Sequence, residues 1–276
     1  MSHIERPIAF ILAASNHGTL IVNRNDFNAV QNTVSNYTYG VGHQILSKSS
    51  FDPQEVKFVL SLLALRRRYF GDGVFAIDGG ANIGVHSVEW ARHMNGWGRV
   101  LSFEAQEIIY YALAGNLALN NCLNARARLA ALGESVGEIG IPQPNYFSSA
   151  SFGSLEIRPR EHTEFIGQAI SYDAAASTTV PMISIDSLKL ERVDLLKIDV
   201  EGMEMDVLRG ARETLLRCKP ALLVEWIKGS ENDIRDYLRG VGYETFYSVE
   251  PNVLAIAKGD PLHAHLNERD GVLNIG

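Results

Sequence analysis

"VFAIDGGANIGVHSVEW", residues 74–90, joins an apolar run to a glycine turn and then to a helical pattern. The run from Val74 to Ile77 has the length and bulk of a buried strand. Asp78 closes it, and Gly79, Gly80 and Gly84 crowd the turn that follows. Glycines there allow a tight turn and a close approach of a ligand to the backbone. Ligands of open α/β sheets bind beyond the carboxyl ends of the strands, where this turn would lie. The spacing is G-x-A-x-x-G rather than G-x-G-x-x-G, and a carboxylate stands directly before it. That charge repels a pyrophosphate and attracts an ammonium. S-adenosylmethionine (SAM) has a methionine ammonium and no phosphate, so Asp78 and the glycines together favour it over a nicotinamide dinucleotide. The glycines alone fit any strand-to-helix turn.

A second strand, "RVLSFEAQ" (99–106), ends in Glu104. A carboxylate at this place accepts the two hydroxyls of a ribose. A nicotinamide dinucleotide has the same ribose, so Glu104 points to an adenosine ligand without choosing between the two. Further on, "VDLLKIDVEGMEMDVLRGA" (193–211) places Asp199 and Glu201 at a strand end, with Gly202 opening a helix. "PALLVEW" (220–226) brings Glu225 to the same rim. Carboxylates converging with Asp78 on one rim call for a cationic partner or shifted pKa values. A sulfonium cofactor is one such partner and a divalent metal is another; no metal ligands are assigned.

Strands expected near 74–78, 99–104, 126–131, 194–199 and 221–226 alternate with helices near 84–94, 107–120, 203–217 and 231–239. This rhythm implies βαβ units and a parallel sheet covered on both faces. Residues 243–249 and 252–258 read as a terminal hairpin closing the sheet edge. The stretch 8–14 reads as a first strand, and 18–27 as a short strand entering a turn. "DPQEVKFVLSLLALRRRYF" (52–70) reads as a helix with Asp52 as N-cap and Pro53 at its first position. We therefore divide the chain into an N-terminal cap, 1–70, and a main domain, 71–276. Residues 134–178 break the rhythm, and a long insertion of this kind serves as a binding loop or lid. Tyr146, Phe147 and Phe152 in it either line an acceptor pocket or anchor the loop. His86 either reaches the site or packs, and Asn116 and Asn120 either cap a helix or touch the ligand.

The formal net charge of −7 lacks the basic face of a nucleic-acid binder. The one basic run, Arg66-Arg67-Arg68, reads as a solvated helix end whose cations suit the helix dipole. Apolar content of 46% is that of an ordinary globular chain, and no apolar run approaches the roughly 18 residues of a membrane span. Cys122 and Cys218 lack metal-ligand spacing and read as free thiols of a reducing compartment, so a cytoplasmic location is expected.

The sequence resembles the FkbM-type SAM-dependent methyltransferases. The resemblance rests on "IDGGANIGVHS" (77–87), "SFEA" (102–105), "NLALN" (116–120), "AALGE" (130–134), "ISIDSL" (183–188), "LLKIDVEGMEMDVLRGA" (195–211) and "LLVEW" (222–226). "GTLIV" (18–22) and "FDPQEVKFV" (51–59) resemble the family's lead-in, and the likeness runs over about 17–257. One departure is Glu104-Ala105, where the family usually has Glu-Pro. The resemblance implies the seven-stranded, Rossmann-like class I methyltransferase sheet with an antiparallel last strand. It implies O-methylation of a sugar, polyketide or other natural product. Matched residue by residue, Asp78, Gly80, Ala81, Asn82 and Gly84 would meet the methionine end of SAM. Glu104 and Ala105 would take the ribose side, Ala131 the adenine slot, and Asp199 the transferring methyl. Asp199, Glu201 and Glu225 are the candidates for the base.

The expected partner is a small-molecule or glycan acceptor, with no nucleic acid or membrane partner. Two alternatives remain open at the sequence level: an NAD-dependent oxidoreductase on a similar sheet, and a non-catalytic SAM-binding protein.

Overall fold

The computed structural model describes residues 7–31, 36–249, 251–269 and 272–276. Glu250, part of the expected hairpin turn, lies outside the described residues. The chain opens with a hairpin, β1 (Phe10–Ser15) and β2 (Gly18–Asn23), and a second, β3 (Asn28–Gln31) and β4 (Asn36–Tyr39). Helices α1 (Val41–Lys48) and α2 (Pro53–Phe70) follow. Then come β5 (Val74–Gly79), α3 (Val85–His93), β6 (Gly98–Glu104), α4 (Glu107–Leu119) and β7 (Ala125–Leu129). β8 (Ala131–Leu132) and β9 (Gly137–Pro142) follow directly, and β10 (Ser177–Ile183) comes after a long excursion. The last third holds β11 (Leu195–Ile198), α5 (Glu204–Arg209), α6 (Arg212–Cys218), β12 (Ala221–Glu225), α7 (Glu231–Arg239), β13 (Tyr243–Val249) and β14 (Asn252–Ala257). A small hairpin, β15 (Leu266–Arg269) and β16 (Val272–Ile275), ends it.

The central sheet has seven strands in the order β13-β14-β12-β11-β5-β6-β7. β7, β6, β5, β11 and β12 run parallel, and β14 runs antiparallel to both its neighbours. This is the α/β sheet with a reversed last strand that the sequence implied. β14 inserts between β12 and β13, so the terminal hairpin closes this edge of the sheet with its first strand outermost. Alternation along β5 sends Val74 and Ala76 to a core shared with α2, α3 and α4, and Ile77 to a core shared with α5, α6 and α7. Both faces are thus covered, as near-continuous apolar strands require. The strand order reverses direction between β5 and β11, so their carboxyl ends open a crevice there.

Three expectations need correction. The helix expected over 203–217 is broken at Gly210. A Cβ at Gly210 would stand 2.1 Å from the Gly133 carbonyl, and its own carbonyl accepts from Asp186 N–H at 2.8 Å. Close backbone crossing takes precedence over helix continuation. Arg66 is not solvated: it is 2% exposed, donates to the Asp194 and Lys219 carbonyls, and pairs with Asp260. The 134–178 segment contains β9, which pairs with β10 in a three-stranded sheet with β8. Pro142 and Pro181 mask these strands in the sequence. Pro181 lies just outside the two-residue pairing of β10 with β8.

Side chains of α3 and α4 tie the N-terminal hairpin to the main domain. Asn116 on α4 is fully buried; its Oδ1 accepts from Ile21 N–H at 2.5 Å, and its Nδ2 donates to the carbonyls of Ile83 at 2.8 Å and Ile21 at 3.2 Å. Asn120 adds a bond to the Thr19 carbonyl at 2.9 Å. These asparagines join β2, α4 and the glycine turn. Asn116→Ala leaves buried backbone groups without partners, at about 1–3 kcal/mol each. It is expected to lower stability by about 2–4 kcal/mol in urea unfolding. A change below about 0.5 kcal/mol would contradict that role.

Among the described residues no helix is long and apolar enough to cross a membrane.

Candidate active site

A cavity of about 340 Å³ opens at the carboxyl ends of β5, β6, β11 and β12. Asp78, Gly80, Ala81, Asn82, Gly84, Glu104, Ala105, Ala131, Asp199, Glu201 and Glu225 all line it. So do Tyr39, Val41, Gln44, Phe51 and Asp52 from the N-terminal segment, and Ser151, Gly153, Ser154, Leu155 and Ile157 from the insertion.

The glycine turn is built on backbone bonds. Gly80 and Ala81 N–H groups donate to the Phe103 carbonyl at 3.1 and 2.8 Å, and Asp199 N–H donates to the Gly79 carbonyl at 3.0 Å. Gly80 has φ 78°, and a Cβ there would stand 1.7 Å from the Asp199 carbonyl oxygen. The glycine is therefore required by the close passage of the β11 end.

Asp78 is 1% exposed. Its Oδ2 accepts from Ser87 Oγ at 2.5 Å, while its Oδ1 is buried with no hydrogen-bond partner among the described residues. A buried acceptor left open is costly unless a ligand donates to it. Glu104 accepts from Asn82 N–H at 2.9 Å and from Gln106 N–H at 2.8 Å. Burial pushes its carboxyl up to about 7, although those backbone donors pull the other way.

The acids of the far rim crowd together: carboxylate oxygens of Asp199, Glu201 and Glu225 lie within 4.8 Å of one another. Burial, then the charge of Asp199, pushes Glu225 up to about 9. Glu201 is driven well above its ordinary value by burial, then by Asp199 and Glu225, against a smaller opposing pull from Lys228. Such a trio could hold a divalent cation or a cationic ligand. Lys197 already answers part of the charge. Burial acts to lower it, but Asp199, Asp78 and Glu55 hold it above its ordinary value, as an ammonium. Its Nζ lies 2.6 Å from Asp199 Oδ2.

Asp199 and Glu201 do not come together through strand alternation. β11 ends at Ile198, and Glu201 has a left-handed backbone with φ 53°. The turn that follows the strand folds both acids onto one side.

The pattern of residues that builds this cavity is specific. A family model described as the methyltransferase FkbM domain matches residues 78–245, from the acid at the tip of β5 into β13. The chain belongs to the FkbM methyltransferase family. It is 31% identical over 162 residues to Methyltransferase sdnD of Sordaria araneosa, covering 50% of this chain and 61% of that one. It is 28% identical over 169 residues to Methyltransferase 1 of Beauveria bassiana (strain ARSEF 2860), covering 56% and 67%. The solved structure of methyltransferase FkbM from Methylobacillus flagellatus KT is similar with a TM-score of 0.47 at 19% identity, over 68% of this chain and 46% of that one. The chain thus spans less than two thirds of the Sordaria protein and less than half of the Methylobacillus structure.

Lys197, Lys228 and Asp26 escaped the sequence reading, and Asp26 precedes the stretch matched to the FkbM domain. Lys197, the single charge in the strand "LLKI", is 4% exposed. Lys228 gathers Glu164, Glu156 at 3.7 Å and Glu201 at 3.8 Å, linking the insertion to the acid rim. Asp26 accepts from Gly42 N–H at 2.8 Å and Phe152 N–H at 3.0 Å, joining the two segments that roof the cavity. Its only sequence signal is a polar run after β2. His86 packs between Phe51 and Trp90 and pairs with Glu55 at 3.1 Å. Tyr146 and Phe152 are buried and anchor the insertion, while Phe147 is exposed.

Proposed function

We propose that this chain transfers a methyl group from SAM to a hydroxyl oxygen of a small-molecule or glycan acceptor, such as a sugar or polyketide. The observation that carries this reading is Asp78. A carboxylate with one buried, unpartnered oxygen faces a cavity where a pyrophosphate would be repelled and an ammonium held. Glu104 in the same cavity offers both oxygens to a ribose diol. Ala105 and Ala131 leave space beside it for an adenine, and the turn from Gly80 to Gly84 exposes backbone to the methionine end.

When bound, SAM supplies an electrophilic methyl on a positively charged sulfur. The chain's own residues then have three tasks. Asp199, fixed by Lys197, keeps negative charge beside the site of transfer. One of Glu225 and Glu201, in its ionised form, takes the proton from the acceptor hydroxyl, since a hydroxyl is a poor nucleophile until its proton is leaving. The N-terminal segment and the insertion exclude water and hold the acceptor in line. The free thiols Cys122 and Cys218 fit a reducing compartment, and on that basis we place the protein in the cytoplasm.

Glu104→Ala tests the cofactor assignment. Hydrogen bonds to a charged group contribute about 1.5–3 kcal/mol, so SAM affinity should fall at least about tenfold. The ionised carboxylate is the form that accepts both hydroxyls. SAM affinity of the wild type should therefore weaken as pH falls below about 7, the value to which burial lifts Glu104. The variant should lose this dependence. Unchanged affinity in the variant at pH 8 would contradict the assignment.

A further inference from the structure

Asp52 stands where a helix-capping side chain is expected, and it does not cap. Its backbone is left-handed, φ 35° and ψ 56°, and its side chain makes no bond to the first turn of α2. Left-handed backbone in a non-glycine residue persists only where its surroundings impose it, and such residues gather at ligand sites. The surroundings here are explicit. The Ser49 carbonyl accepts from Asn16 N–H at 2.8 Å, and Phe51 N–H donates to His17 Nε2 at 2.9 Å. His17 is itself fixed through Nδ1 by Glu89 at 2.9 Å. This clamp turns the Asp52 carboxylate to the mouth of the cavity, where it meets the Gln44 side chain and the field of Glu55, His86 and Lys197.

Across the cavity stand Glu201 and Glu225. Among the described residues the only lysine or arginine in the lining is Lys197, already bound to Asp199. An acceptor between these walls meets the Asp52 carboxyl on one side, the carboxyls of Glu201 and Glu225 on the other, and no free cation among the described lining residues. A carboxylate or phosphate on it would find no partner cation, whereas hydroxyl or amine donors would find acceptor oxygens.

From this geometry, and resting on the methyl-transfer reading above, we propose that Asp52 and Gln44 bind the acceptor, and that the acceptor is rich in hydroxyl or amine donors and carries no anionic group. Asp52 is then a specificity-determining residue on the N-terminal segment, distinct from the acids of the sheet rim.

The test uses the full chain, SAM and acceptors in matched neutral, amine-bearing and carboxylate-bearing triplets. One triplet is methyl glucoside, methyl glucosaminide and methyl glucuronide. A second is cyclohexanediol, aminocyclohexanol and hydroxycyclohexanecarboxylic acid. Release of S-adenosylhomocysteine is the readout. Turnover is expected with neutral or amine-bearing members and not with their carboxylate partners. Asp52→Asn keeps the backbone preference, because Asn tolerates the left-handed region. It should raise the acceptor KM by about tenfold or more, with kcat within about threefold and SAM affinity unchanged. Gln44→Ala should act in the same direction and guards against a folding defect in the first variant. An unchanged KM in both variants, or a carboxylate-bearing member as the best acceptor, overturns the proposal. So does a protein that binds SAM yet turns over no member. Failure to bind SAM instead overturns the reading on which it rests.

Discussion

Glu225→Gln is expected to lower turnover by about 10²–10⁴-fold, the usual contribution of a general base, while SAM affinity stays near wild type. The same change should raise the melting temperature. In the folded protein Glu225 is held at about 9, against an ordinary carboxylate value of 4.5. A folded-state pKa above the unfolded one means that folding takes up a proton between these values. The stability tied to the proton is fully present below the unfolded pKa and is lost as pH rises through the folded one. Wild-type stability should therefore decline between about pH 5 and 9, and the Gln variant should decline less. A stabilised yet inactive variant is the mark of an acid kept for chemistry rather than for folding. The pH dependence of kcat/KM adds a third readout. A base must be deprotonated to act, so the wild-type rate should climb with pH toward about 9, and Glu225→Gln should flatten that limb. Glu201→Gln and Asp199→Asn complete the series. Near-wild-type rates in all three would remove the carboxylate base and leave alignment alone as the source of rate.

Gly80→Ala should be the most damaging single substitution in the cofactor turn. The added methyl would stand 1.7 Å from the Asp199 carbonyl oxygen, a backbone atom that no rotamer change can move. The residue also has φ 78°, which costs a non-glycine residue about 1–2 kcal/mol before any clash. Together these should exceed about 4 kcal/mol, and either the fold or the β5–β11 junction would give way. Gly96→Ala is the matched control. Gly96 has φ 82° but nothing within 4 Å of its built Cβ, so only the conformational cost of about 1–2 kcal/mol applies. Equal losses in urea unfolding for the two variants would show that the contact with Asp199 is immaterial.

The sheet and the acids along its rim were legible because each is written locally. β5, β6, β11 and β12 are short apolar runs closed by a polar residue, and Asp78, Glu104, Asp199 and Glu225 lie at or next to those ends. A strand tip in a parallel sheet always faces the same crevice, so local pattern is enough to place these groups. Residues whose roles depend on distant partners were not legible. Arg66 looks like any cation at a helix end until Asp260 and two carbonyls surround it. Asp52 looks like a cap until His17 and Asn16 force its segment into another conformation. The small sheet of β8, β9 and β10 was hidden for a similar reason. Its strands are short, carry prolines, and pair across a long excursion that no local periodicity reports. The roof of the cavity is therefore the part of the molecule that sequence describes least. Under the proposal made above, acceptor choice rests with that roof, through Asp52 and Gln44.

The cavity at the tips of β5 and β6 is expected to take SAM and not a pyrophosphate-bearing dinucleotide. Parallel calorimetric titrations of the wild-type chain with SAM and with NAD test it most directly. SAM is expected to bind saturably, with Glu104→Ala weakening it at least about tenfold, and NAD is expected to give no heat of binding. Saturable binding of NAD with none of SAM would contradict the account.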